Sequence, residues 1–252
     1  MAARRPARST TPTTSRTVSP KAAPASSPAP APDAPVKTVA ELGVPSALTE
    51  LLAAEGITAP FPIQAATLPD SMAGRDVLGR GRTGSGKTLG FLLPVLTRLA
   101  ADPRRRRPNY PRALILAPTR ELAAQIHRAA EPLANALGLR TATVFGGVAT
   151  RPQISALRSG LDLVIACPGR LLDHVEAGHA NLGAIEITVL DEADHMADLG
   201  FLPMVKRILD ATPAGSRTTC SPATPTFRLS RSPCSTRPTT WPISDSSPRS
   251  SD

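Results

Sequence analysis

The chain is poor in aromatic residues, at 3% of 252 positions, and holds only three cysteines. Cys167, Cys220 and Cys234 form no CxxC pair and leave an odd count. This excludes a disulfide framework and fits a reducing cytoplasm. The four histidines, His127, His174, His179 and His195, lack metal-ligand spacing. No apolar run approaches the roughly 20 residues that cross a bilayer, so no membrane partner is expected. The first 35 residues carry charge but no apolar segment, which excludes a secretory signal.

Proline, by contrast, is abundant, with 28 residues, too many for a chain ordered throughout. Net charge is +9, and its distribution matters more than its size. Residues 1–37 hold six basic side chains and one acid; residues 211–252 hold five and two. The middle, 38–210, is nearly neutral, with 18 basic and 17 acidic residues. Basic flanks on a neutral core read as solvated tails. Three segments follow: a disordered Pro/Ala/Ser/Arg-rich tail at 1–37, a folded domain at 38–210, and a non-periodic, disordered tail at 211–252.

Within 38–210 short apolar runs alternate with amphipathic stretches. "VPSALTELLAAEG" and "IQAATLPDSMAG" have helical spacing. "DVLGRG" reads as a strand, followed by a glycine-rich loop and the helix "KTLGFLLPVLTRLA". "RALILAP", "TATVF", "DLVIA" and "IEITVL" are further strands; a helix runs from Thr119 to about Leu137, and "GRLLDHVEAG" forms another. Strand–helix alternation with near-continuous apolar strands predicts an α/β fold, a mostly parallel sheet covered by helices on both faces. Ligands in such sheets bind at the carboxyl ends of the strands, where the chemically capable residues fall.

"GRTGSGKT", Gly81 to Thr88, fits G-x-x-x-x-G-K-[ST]. Backbone N–H groups of Thr83, Gly84, Ser85 and Gly86 would curl around phosphate oxygens, and the following helix adds its positive end. Lys87 would reach the β- and γ-phosphates and the Thr88 hydroxyl a Mg²⁺ ion. "VLDEAD" supplies the carboxylates: Asp191 to hold the metal, Glu192 to orient the attacking water. Alone, acids after a strand are usually a helix start. With the phosphate loop upstream, the catalytic reading prevails.

Six segments, "GITAPFPIQ", "GRTGSGKT", "PTRELA", "GG", "CPGR" and "DEAD", occur in the order found in one family. From about Val39 to Leu209 the chain resembles the first RecA-like domain of a DEAD-box RNA helicase. The resemblance implies ATP and Mg as ligands and RNA as partner. It implies that Gln64 reads the adenine amide edge and that Arg120, Gly146, Gly147 and Arg170 line the RNA backbone. Asp194 would couple the nucleotide to the RNA contacts. For Arg120 and Arg170 the alternative is a salt bridge at a helix start. The sequence departs from the family pattern at Val39, where the family has an aromatic that stacks on adenine, and at Cys167, where it has a threonine. "RRRR", Arg104 to Arg107, reads as a solvated loop, with RNA contact as its alternative.

After "FLPMVKRILD" the family continues with an apolar central strand ending in Ser-Ala-Thr. Here the register holds "RTTCSPAT", with Pro222 in place of the serine. Two expectations follow: a central strand is missing, and a change of reading frame near Ala214 joins a truncated helicase to an unrelated tail. The chain would then lack the second RecA-like domain and not unwind RNA alone. Two other readings stay open: a non-enzymatic fragment that binds nucleotide or RNA, and an inactive pseudogene product. A P-loop NTPase of another kind is disfavoured by PTRELA and the Gln64 segment.

Overall fold

A computed structural model describes residues 38–81 and 84–221. The expectations for residues 1–37, for Thr83 and for 222–252 lie outside the described residues.

Among the described residues, six parallel strands form one sheet in the order β1-β6-β5-β2-β4-β3. They are β1 (Val77–Leu78), β2 (Ala113–Leu116), β3 (Thr141–Val144), β4 (Leu163–Ala166), β5 (Ile187–Asp191) and β6 (Arg217–Ser221). β2, β4 and β5 are buried at every position, as their unbroken apolar sequences require of strands covered on both faces. The strand period of two divides the core into two clusters. Ala113, Ile115 and Ala117 point to one side with Ile165 and Val189. Leu114 and Leu116 point to the other with Val164, Ala166 and Leu190.

The first side is covered by α1 (Ser46–Ala54), α2 (Pro62–Met72), α3 (Lys87–Ala101) and α4 (Arg120–Ala136). The second is covered by α5 (Thr150–Arg158), α6 (Pro168–Glu176), α7 (Ala193–Asp198) and α8 (Leu202–Asp210). The predicted helix boundaries of α4 fall on its caps: the Thr119 hydroxyl accepts from the Leu122 N–H at 3.2 Å, and Leu137 closes the other end. Val39 is buried in the first cluster, packed rather than presented. α5 had no counterpart in the sequence reading.

One expectation is overturned. The central strand is present: β6 lies between β1 and β5 and pairs with both. Thr219 is opposite Val77 on one side and Val189 on the other, and Ser221 is opposite Asp191. The physical reason is that a parallel ladder is made by backbone groups, which Thr-Thr-Cys-Ser donates as well as an apolar run does. The strand stops at Ser221, so the missing N–H of Pro222 never enters this ladder. Thr218 N–H also donates to Asp76 Oδ1 at 2.9 Å, tying the strand's start to the approach to β1. The polar composition leaves marks of its own. Thr218 Oγ1 is buried with no hydrogen-bond partner, and a cavity of about 20 Å³ lies beside Thr219, Val77, Ile63 and Phe91.

Candidate nucleotide and nucleic-acid site

Five of the segments singled out for their chemistry leave the carboxyl edge of the sheet, and the strand order sorts them into two groups. The glycine-rich loop follows β1 and the DEAD segment follows β5, with only β6 between them. At about 4.8 Å per strand the two loops emerge about 10 Å apart. The Pro-Thr-Arg, Gly-Gly and Cys-Pro-Gly-Arg segments follow β2, β3 and β4, which are neighbours on the other half of the edge.

In the first group Lys87 is the opening residue of α3, and Gly86, at φ +83°, is its N-cap. Any side chain at Gly86 would be strained by that angle and would collide with Gln64 Nε2 at 2.6 Å and Phe61 Cδ2 at 2.7 Å. Gln64 itself is buried, at 1% exposure. Its Nε2 donates to the Gly86 carbonyl at 2.8 Å and its Oε1 accepts from the Phe61 N–H at 3.0 Å. The glutamine thus clamps the start of α2 to the phosphate loop.

Two features fit a phosphate ligand. The Ser85 hydroxyl is buried and has no partner, an arrangement that costs free energy unless something else accepts or donates there. The loop also opens a fifteen-residue helix, whose unpaired N–H groups and dipole favour an anion.

Across β6, Asp191 ends β5 at 4% exposure, its Oδ1 accepting from the Glu192 N–H at 3.1 Å. Glu192 is half-buried and sits in the left-handed region, φ 49° and ψ 48°, as the N-cap of α7. A glutamate held there costs on the order of 1 kcal/mol, and such outliers cluster at functional sites. Asp194 follows, half-buried in the first turn of α7. Among the described residues no group of three or more His, Cys, Asp or Glu side chains is placed to hold a metal. A single carboxylate suits magnesium, which is held by one or two carboxylates plus substrate phosphates and water.

The second group is an arginine–glycine surface. Arg120 opens α4 and bonds Glu121 Oε1 at 2.6 Å, which holds the Glu121 carboxyl below its ordinary range. Its guanidinium lies against Gly147: a Cβ built there would be 3.1 Å from Arg120 Nη1. Gly147 has φ +79°, and Gly146 faces open space. Arg170, in the first turn of α6, donates to Thr150 Oγ1 at 3.2 Å and lies 3.4 Å from Asp173 Oδ2. The salt-bridge alternative therefore holds for both arginines. The exposed Arg120–Glu121 pair is worth about 0–1 kcal/mol, too little to keep that guanidinium from a phosphate, and the half-buried Arg170 meets a largely exposed Asp173.

Sequence reasoning missed two residues that build this surface, both on the unforeseen α5. Thr150 joins it to Arg170. Gln153, buried at 7% exposure, donates to the carbonyls of Phe145 at 3.1 Å and Ala149 at 3.3 Å. Those two carbonyls bracket Gly146–Val148, so Gln153 fixes the shape of the Gly-Gly loop. A buried glutamine between arginines and leucines was the available signal.

Cys167, at the N-cap of α6, makes no capping hydrogen bond. Burial and then the Glu121 charge push its thiol up to about 11, so it is neither a thiolate nor a useful donor at neutral pH. The Arg104–Arg107 run lies elsewhere, before β2 at the amino edge of the sheet.

A six-stranded parallel sheet with a phosphate loop after an edge strand and acids after a central one defines a RecA-like nucleotide-binding domain. Residues 61–231 match the DEAD/DEAH box helicase family, and the chain belongs to it. It is 45% identical over 175 residues to DEAD-box ATP-dependent RNA helicase 30 of Arabidopsis thaliana, covering 69% of this chain and 30% of that one. It is 48% identical over 157 residues to the ATP-dependent RNA helicase RhlB of Cronobacter sakazakii, covering 62% and 37%. The crystal structure of a DEAD box protein from Methanococcus jannaschii superposes with a TM-score of 0.67 at 34% identity, covering 74% of this chain and 50% of that one. The chain thus spans about a third of the curated relatives it matches.

Proposed function

We propose that this chain is the ATP- and RNA-binding half of an ATP-dependent RNA helicase, and that by itself it binds both ligands without unwinding. The observation that carries the reading is the division of the sheet's carboxyl edge. A phosphate-binding group on β1 and β5 stands beside an arginine–glycine group on β2, β3 and β4.

In this reading the P-loop backbone and Lys87 hold the β- and γ-phosphates of ATP, and the unpartnered Ser85 hydroxyl finds its acceptor there. Thr88 and Asp191 hold Mg²⁺, which when bound neutralises charge on the transferred phosphoryl group. Glu192 takes the proton of the attacking water, positioned for it by its left-handed backbone. Gln64 couples adenine to the loop, since its amide already touches Gly86.

On the other half, Arg120, Arg170 and the N–H groups of Gly146 and Gly147 contact RNA phosphates. Contacts of that kind carry no base sequence, so binding is sequence-tolerant. Asp194, between the groups, links them. Fast turnover requires arginine stabilisation of the phosphoryl group, worth about 10³–10⁵ in rate in related enzymes. In this reading the remainder of a full-length helicase brings it.

The test is nucleotide turnover with and without RNA in wild type, Glu192→Gln and Arg120→Ala/Arg170→Ala. The reading expects ATP binding in all three, RNA binding weakened in the arginine variant, and slow hydrolysis lost in Glu192→Gln. Equal RNA affinity in wild type and the arginine variant would contradict it.

A further inference from the structure

The amino edge of the sheet carries a second, unassigned concentration of positive charge. Arg104–Arg107 precede β2, Arg140 precedes β3 and Arg158 ends α5. Their spacing in sequence hides their proximity. Arg106 Nε lies 2.6 Å from Asp162 Oδ2, and its Nη2 bonds the Gly138 carbonyl. The same Asp162 oxygen accepts from the Arg140 N–H at 2.8 Å. A Cβ at Gly160 would lie 2.9 Å from Arg106 Cβ, and the Asn109 N–H donates to the Leu157 carbonyl at 2.9 Å, beside Arg158.

This is not a loose, solvated loop. Arg106 and the Asp162 carboxyl, 3% exposed, pin its middle. The Asn181 N–H donates to the Asn109 carbonyl at 2.8 Å and its Nδ2 to the Tyr110 hydroxyl at 3.2 Å, pinning its end. Arg107 lies over the Tyr110 ring at 4.2 Å, which holds its guanidinium in place without neutralising it.

Charge accounting decides what the surface is for. Arg104 pairs with Asp102, Arg112 with Glu186 and Arg106 with Asp162. Three arginines meet three carboxylates. Arg105, Arg107, Arg140 and Arg158 remain, all exposed and with no acidic partner among the described residues. Four unneutralised guanidiniums on a fixed frame form a polyanion-binding surface, and guanidinium geometry favours phosphate.

We propose that this amino-edge surface is a second RNA-backbone contact, separate from the one at the carboxyl edge. The four-residue strands β2, β3 and β4 set the two edges about 13 Å apart, so the two surfaces hold different stretches of RNA. The face of Tyr110 is already covered by Arg107, so it offers no stacking platform for a base. The contact is to phosphates, independent of base sequence and of nucleotide, and it tethers RNA to the domain.

The test is binding of a fluorescent oligo-uridine to the full chain, without nucleotide, across a salt series. Compared are Arg105→Ala/Arg158→Ala, the carboxyl-edge variant Arg120→Ala/Arg170→Ala, and the charge-matched control Arg75→Ala/Arg128→Ala. Each phosphate contact to a single strand contributes about 0.7 to the slope of log affinity against log salt, so losing two lowers it by about 1.4. The proposal expects that drop in Arg105→Ala/Arg158→Ala and in a combined four-site variant a further drop beyond either pair. Unchanged melting temperatures establish that the frame is intact. An Arg105→Ala/Arg158→Ala slope no different from the control overturns the proposal. So does a loss of binding to an acidic peptide with RNA binding unchanged, which would make the surface a protein contact. Failure of the carboxyl-edge variant alone bears on the function proposed above and leaves this surface standing.

Discussion

Gln64 Nε2 donates to the Gly86 carbonyl at 2.8 Å, joining the start of α2 to the phosphate loop across 22 residues. The contact is possible because Gly86 has no side chain. A methyl group there would fall 2.6 Å from that nitrogen in a backbone conformation that L-residues avoid. Gly86→Ala should therefore destabilise by about 1–3 kcal/mol and abolish nucleotide binding. Urea denaturation and nucleotide titration check both. An alanine variant that binds nucleotide normally would show that the clamp is dispensable.

β6 should be improvable. The Thr218 hydroxyl is buried without a partner, and such a group costs about 1–3 kcal/mol. Thr218→Val keeps the β-branched shape and removes the orphan. The expected outcome is a gain of about 1 kcal/mol in unfolding free energy at unchanged urea dependence. A loss would mean that the hydroxyl is satisfied in solution.

Cys167 offers a similar repair. α6 begins with no side-chain cap, and a threonine oxygen at that position accepts from the N–H groups of its first turn. Cys167→Thr should add about 1 kcal/mol and tighten RNA binding. In the wild type the thiol, pushed up to about 11, should alkylate far more slowly at pH 8 than the same peptide unfolded in urea. Peptide-resolved mass spectrometry measures this, and equal rates would contradict the burial.

His174 sets a pH dependence. It is buried, its Nε2 has no partner, and burial followed by the Arg170 charge hold its pKa below the ordinary 6.5. Above pH 6.5 both folded and unfolded chains carry it neutral. As pH falls through and below 6.5 the unfolded chain takes up a proton that the folded chain resists, so stability drops. His174→Leu should flatten that part of the curve between pH 5 and 7. Parallel curves for wild type and variant would remove His174 as the cause.

Much of this fold was legible in the sequence, because its strands are buried on both faces. "ALIL", "LVIA" and "ITVLD" declare such strands by composition alone. Thr119 announced its own cap. β6 was not legible, since Arg-Thr-Thr-Cys-Ser has no apolar rhythm and the pairing that holds it comes from neighbours distant in sequence. α5 was missed for a related reason: "TRPQISALR" buries only Gln153 and Leu157. The site residues were visible as motifs, but their sorting into two halves of one edge depends on strand order. The left-handed Glu192 and the meeting of Arg106 and the Arg140 N–H at Asp162 depend on three dimensions as well.

The most direct measurement is a thermal melt of the chain with and without Mg-ATP, beside Lys87→Ala. A ligand that binds only the folded state stabilises it by about 2.7 kcal/mol at a hundred times its dissociation constant. The account predicts one cooperative transition that Mg-ATP raises by several degrees in the wild type and leaves unmoved in Lys87→Ala. A transition that Mg-ATP does not shift, or shifts equally in both, would contradict a nucleotide site at Gly81–Thr88.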